Sequence, residues 1–223
     1  MPKGKNKSLK SKTGLTLVDI DPLTPTQRQV FKSDAHLVLK GVAGTGKTFI
    51  SMFLGLQDIE SQIYDKVLVM RSAVPTRDVG YLPGSLHEKV SVYEDPYRAI
   101  VGDLFQRGDA YSILKQHEIF KFMTTSYIRG TTIENSVVIV DECQNMSFHE
   151  LDSIITRIGD NCRLIFCGDF EQTDFNSKDR TGFKDFLNIL DRTELFEFYN
   201  FGLEDIVRSG LVREYLLAKH GWT

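Results

Sequence analysis

The chain has 223 residues, 41% hydrophobic and 26% charged, which suits one α/β domain with small appendages. No apolar run approaches the ~20 residues of a membrane span, and the amino terminus lacks the apolar core of a secretory leader. Three cysteines, Cys143, Cys162 and Cys167, are odd in number and have no metal-ligand spacing, so free thiols in a reduced, cytoplasmic setting are the simplest reading.

Residues 1–14 read as a disordered Lys-rich tail. Lys3, Lys5, Lys7, Lys10 and Lys12 stand there without an acidic neighbour, and without them the net charge of −3 becomes −8. The tail serves either as an electrostatic arm for phosphates or as a solubilising segment. An acidic body of this kind is no general nucleic-acid magnet, so a nucleic-acid contact must be local or helped by the tail. Residues 15–223 read as a single domain.

Thr24–Ser33 is predicted helical, with Pro25 at an allowed first-turn position. His36–Lys40 is a strand, and Gly41-Val42-Ala43-Gly44-Thr45-Gly46-Lys47-Thr48 follows it, matching G-x-x-x-x-G-K-[ST] in full. A helix from Lys47 to about Gln62 completes strand, glycine loop and helix. In that context backbone N–H groups of the loop and the helix start cradle phosphates. Lys47 adds a cation at the β/γ oxygens, and Thr48 offers a hydroxyl to Mg²⁺. Gln27, shortly upstream, has an amide that matches an adenine edge or, equally, water.

Lys66–Met70 is a second strand and 74–84 a loop rich in Pro and Gly. Residues 85–106 are predicted mostly helical, interrupted near Pro96. Glu118–Met123 is a short strand. Ser136–Val140 is a β-branched run of the kind buried on both faces of a sheet, and it delivers Asp141-Glu142. Asp141 can join a Mg²⁺ shell, and Glu142 can orient and deprotonate an attacking water. A helix over 148–158 leads to a strand over 163–167, ending in Gly168-Asp169. Gln172 beyond it can sense the γ-phosphate or position the water. Helices over 183–190, 203–208 and 211–219, with a strand near 195–198, close the chain. Strands alternating with helices predict a three-layer α/β fold with a mostly parallel sheet and helices on both faces.

Together, Gln27, the loop 41–48, Asp141-Glu142 with Gln144, and Gly168-Asp169 with Gln172 resemble the first core domain of superfamily 1 helicases. Arg71-Ser72-Ala73-Val74, Gly80–Gly84 with Glu88-Lys89-Val90, Tyr127–Thr131, Asp141–Asn145, Thr156–Gly159 and Asp205–Arg208 resemble the PhoH family of phosphate-starvation-inducible ATPases. The family commonly carries Pro, Pro, Ala and Arg where this chain has Val42, Ser72, Cys143 and Thr131. The last change removes a cation, so that arginine's role does not carry over.

The resemblance implies a RecA-like P-loop fold, ATP hydrolysis with Mg²⁺ and a role on single-stranded RNA or DNA. The ATP site it implies comprises Gln27, Gly41, Ala43, Gly44, Thr45, Gly46, Lys47 and Thr48, with Lys47, Asp141, Glu142 and Gln172 catalytic and Thr48 and Asp141 on the metal. Arg71, Arg77, Tyr81, Tyr127 and Arg129 mix cations and aromatics as single-strand grooves do. A chain of this length is expected to lack an intrinsic nuclease and to hold one of the two helicase core domains. An arginine from a neighbouring subunit then completes hydrolysis, which predicts a homo-oligomer, a hexameric ring, with Arg157, Arg180 and Arg208 as candidate fingers. The alternative is a nucleotide-dependent switch or scaffold with slow turnover and a protein partner.

Overall fold

A computed structural model describes residues 8–72, 86–128, 130–169 and 177–221, with side chains left undescribed over 86–91 and 177–181. Arg77, Tyr81, Arg129 and Gln172 therefore lie outside the described residues, as does the Arg180 side chain.

Among the described residues six strands form one parallel sheet: β1 (His36–Gly41), β2 (Lys66–Arg71), β3 (Phe120–Thr124), β4 (Ser136–Val140), β5 (Cys162–Gly168) and β6 (Phe196–Phe201). Their order is β3-β2-β4-β5-β1-β6, and every pairing is parallel. All strand carboxyl ends thus share one edge. The strand carrying the glycine loop (β1) and the one delivering Asp141 (β4) are not neighbours, because β5 stands between them. This is the RecA-like α/β arrangement.

The pleat divides the core in two. Leu37 and Leu39, Val137 and Ile139, and Ile165 and Cys167 point to one face. Val38, Val138 and Val140, and Leu164 and Phe166 point to the other. Period-2 alternation of apolar residues on both faces requires helices on both faces. One face receives α1 (Leu9–Thr13), α3 (Lys47–Glu60), α4 (Leu86–Phe105) and α5 (Ala110–Gln116). The other receives α6 (Phe148–Ile155) and α7 (Ser177–Arg192). Two more helices complete the domain: α2 (Pro25–Val30) packs beside β6, and α8 (Gly210–Lys219) meets Val42 and Ile206 through Leu216, near the glycine loop. Among the described residues no helix is long and apolar enough to cross a membrane.

Four stretches differ from expectation. The second half of the Lys-rich tail is helical: Ser8 caps α1, Gly14 ends it in the left-handed region, and Leu9 is buried in the core. One buried leucine anchors a turn whose lysines stay outside. Pro96 does not interrupt α4, because Tyr97, Val101, Leu104 and Phe105 are buried behind it. The carbonyl that proline leaves without a donor belongs to Val92, an exposed residue that water can serve. The helix α5 is absent from the sequence expectation; it buries only Ala110, Tyr111 and Leu114, too short a pattern to stand out. Finally, 203–208 is not an α-helix. Leu203–Asp205 makes one 3-10 turn, and Ile206 is extended.

Candidate functional site

The carboxyl-terminal edge opens into a cavity of about 790 Å³, lined by loop residues Ala43, Gly44, Gly46, Lys47 and Thr48, by Asp141, Glu142, Gln144 and Asn145, and by Gly168, Asp169 and Arg208. Apolar Ile20, Leu23, Phe31 and Ile100 also line it. A volume of this size suits a nucleotide.

The loop is built by close approach. Gly41 has φ +142°, and a Cβ there would collide with the Phe201 carbonyl. The Val42 N–H donates to that carbonyl at 3.2 Å. Gly46, in the left-handed region, starts α3, so the first N–H groups of a 14-residue helix face the loop. Lys47 is nearly buried, and its Nζ donates to the carbonyls of Gly41 and Val42, both at 2.8 Å. Burial pulls its amine below the ordinary lysine value; Cys167, Asp169, Glu142 and Asp141 partly offset that.

Beside the loop, Thr48 Oγ1 donates to Asp141 Oδ1 at 2.9 Å. Asp141 Oδ2 accepts from the Tyr97 hydroxyl at 2.8 Å. Desolvation raises the Asp141 pKa, and the Glu142 carboxylate raises it further. The Tyr97 phenol is pushed up by burial and by Asp141. Glu142 itself occupies the left-handed region at φ +52°, an uncommon conformation for a non-glycine residue. Its Oε2 accepts from Gln144 Nε2 at 2.6 Å, and Gln144 Oε1 accepts from the Asp169 N–H at 3.1 Å. Gln144 thus couples the end of β4 to the end of β5 and fixes the direction of Glu142.

Gln27 is buried and committed within the protein. Its Oε1 accepts from the Leu23 N–H at 2.8 Å, and its Nε2 donates to the Thr45 carbonyl at 3.2 Å. One N–H and one lone pair remain for a base edge. Arg71 ends β2, stacks its guanidinium over Tyr93 at 5.8 Å, and lies close enough to Asp141 to lower that residue's pKa. Tyr127 follows β3 on the same edge and is 49% exposed.

The three arginines considered as fingers are not equivalent. Arg157 follows α6 at the opposite, amino-terminal edge, where the 157 carbonyl accepts from Ile133 just before β4. Arg180 lies in the first turn of α7. Arg208 borders the cavity of its own chain.

Two groups escape sequence reasoning in their roles. Tyr97 has no motif of its own; only the passage of α4 beneath Asp141 reveals it. Gln144 is visible within Asp-Glu-x-Gln, but its part in aiming Glu142 requires the three-dimensional bonds.

The comparisons converge with this geometry. The PhoH-like protein family matches residues 19–219. Protein PhoH of Escherichia coli (strain K12) is 33% identical over 192 residues, covering 85% of this chain and 54% of that protein. Protein PhoH2 of Bacillus subtilis (strain 168) is 36% identical over 151 residues, covering 65% of this chain and 34% of that one. The large terminase of a thermophilic bacteriophage shares the fold, with a TM-score of 0.51 and 14% identity over 88% of this chain and 50% of that one. The chain therefore spans about half the length, or less, of the curated relatives it matches. With a full glycine-loop motif, a carboxylate pair at the end of β4 with β5 between, and a match along nearly its whole length, the chain belongs to the PhoH-like protein family and has the fold of a P-loop ATPase.

Proposed function

We propose that this protein binds ATP with Mg²⁺ in the edge cavity, hydrolyses it, and couples hydrolysis to single-stranded nucleic acid as a helicase-like oligomer. The observation that carries the reading is the 2.9 Å pairing of Thr48 with Asp141, next to Glu142. The donor set fits Mg²⁺. Among the described residues no group of three or more His, Cys, Asp or Glu could hold a metal alone. Mg²⁺ is usually held by one or two carboxylates together with water and substrate phosphates. Thr48 and Asp141 would hold it, and when bound it neutralises charge on the phosphate oxygens.

The chain's own residues then divide the work. Loop N–H groups and Lys47 bind the phosphates. Lys47 exchanges its two loop carbonyls for phosphate oxygens, a trade of neutral acceptors for charged ones. Glu142, steered by Gln144, orients a water and takes its proton. The apolar part of the lining, with Phe31 and Ile100, receives the base. Arg71 and exposed Tyr127 share the same sheet edge, which supports a single-strand path beside the site. Arg157, at the opposite edge, and Arg180, in the first turn of α7, are candidates for reaching a neighbouring subunit in a head-to-tail ring.

The test is the steady-state ATPase rate with and without single-stranded RNA and DNA oligomers. Stimulation by one of them is the expected outcome and names the track. A low rate indifferent to both favours the switch or scaffold reading. No hydrolysis under any condition rejects the enzyme.

A further inference from the structure

The segment after β6 does not leave the site; it is fastened along the outer side of the phosphate loop. At one end the Val42 N–H donates to Phe201 O at 3.2 Å, and at the other the Val207 N–H donates to Gly44 O at 3.1 Å. Between them Asp205 is fully buried, and its Oδ2 accepts from Gly202 N–H at 3.0 Å and from Thr26 Oγ1 at 2.9 Å. Ile206 packs with Val42 and Leu216 in a small apolar cluster. Thr26 belongs to α2, whose Gln27 holds the Thr45 carbonyl. Loop, α2 and strap are therefore one cross-linked unit.

This unit fixes the place of Arg208. Its stem lies across Gly44, so close that a Cβ on that glycine would stand 3.0 Å from Arg208 Cγ. The residue borders the same cavity as Gly46, Lys47 and Thr48. It is exposed, and no hydrogen bond or ion pair engages its guanidinium among the described residues. Lys47 reaches the loop from inside and Arg208 from outside. A planar five-donor cation held at the rim of an anion-binding loop, without a carboxylate partner, is suited to bind phosphate oxygens.

We infer that Arg208 is a phosphate-binding residue acting in cis, on the terminal phosphate of the nucleotide held by its own chain. The inference rests on the ATPase reading above. It removes Arg208 from the trans fingers, because its strap ties it to its own loop.

The experiment compares the wild-type chain with Arg208→Ala and Arg208→Lys, measuring kcat, KM and the affinities for fluorescent ADP and a non-hydrolysable fluorescent ATP analogue. Arg208→Ala is expected to lower kcat about 10²-fold or more, and to weaken the triphosphate analogue much more than ADP. Arg208→Lys keeps the stem and one charge but not the fork, so it recovers only part of the loss. Equal mixtures of Lys47→Ala and Arg208→Ala chains decide between cis and trans. The cis assignment expects no recovery; restored turnover overturns it. An unchanged preference for triphosphate over diphosphate in Arg208→Ala also overturns it. If the wild-type chain hydrolyses nothing, the ATPase reading fails by itself, and the two affinities still judge Arg208.

Discussion

The two edges of the sheet solve opposite problems, and β5 touches both. At its entry, Arg163 is almost completely buried and fully answered: Nη1 donates to Asp58 Oδ2 at 2.8 Å, Nε to the Ala35 carbonyl at 3.1 Å, and Nη2 to the Ser33 carbonyl at 2.5 Å. The turns nearby place Asn135 and Asn161 at positive φ, a residue type that tolerates it, and join them side chain to side chain. At the exit edge the left-handed position is held by Glu142, Lys47 is desolvated against carbonyls, and Arg208 has no partner among the described residues. The entry edge closes its charges; the exit edge keeps them open. Left-handed residues occur at both edges, Gln62, Glu118 and Glu194 among them at the entry, so it is unanswered charge rather than backbone strain that sets the exit edge apart.

Substitutions should separate the two edges cleanly. The largest effect is expected from Lys47→Ala, which removes the cation inside the loop. Turnover should fall by about 10²–10³-fold or more, with little change in the melting temperature. Retained turnover would reject the site.

Next comes Arg163→Met at the other edge. It leaves Asp58 buried without its partner and should cost ~3–5 kcal/mol of stability, with the ATP affinity of the folded fraction unchanged. The sign of its pH dependence follows from Asp58, whose pKa is raised above 3.8 by desolvation even with Arg163 in place. Between the unfolded and folded pKa the native state binds more protons than the unfolded one, so stability falls as pH rises through that window. Losing Arg163 widens the window upward. The deficit of the variant should therefore be largest at neutral pH and shrink toward about pH 4, near the ordinary carboxylate value, measured by urea unfolding across pH. A pH-independent deficit would show that Asp58 is not the charge left stranded.

The smallest effect is expected from Tyr97→Phe. The ring and its packing remain, and one donor to Asp141 is lost. The Mg²⁺ concentration for half-maximal hydrolysis should rise ~10-fold, while nucleotide affinity without Mg²⁺ stays constant. Equal changes in both would make Tyr97 a packing residue only.

Much of this was legible in the chain. Six apolar runs predict six strands with ends within three residues, because β-branched stretches such as Ser136–Val140 bury on both faces. The loop is readable because its glycines, lysine and threonine are contiguous. Where prediction fails, a distant contact outweighs local preference. Residues 203–208 carry helical residues, yet Asp205 bonds to Thr26, 179 positions away, and Val207 bonds to the loop. Pro96 signals a break, yet the buried face behind it holds α4 together.

The sequence by itself determined the succession of strands and the glycine loop, and it marked Asp141-Glu142 as the candidate carboxylate pair, since each is written in consecutive residues and a local period. Only the tertiary structure decided that β5 separates the loop strand from the carboxylate strand, that Tyr97 and Gln144 aim Asp141 and Glu142, and that Arg208 faces its own loop while Arg157 faces away. Those relations depend on strand order and on contacts between residues far apart in the chain, such as Tyr97 with Asp141 and Thr26 with Asp205. No local pattern encodes a partner so distant, because closing a long loop is rewarded only once the whole fold has formed.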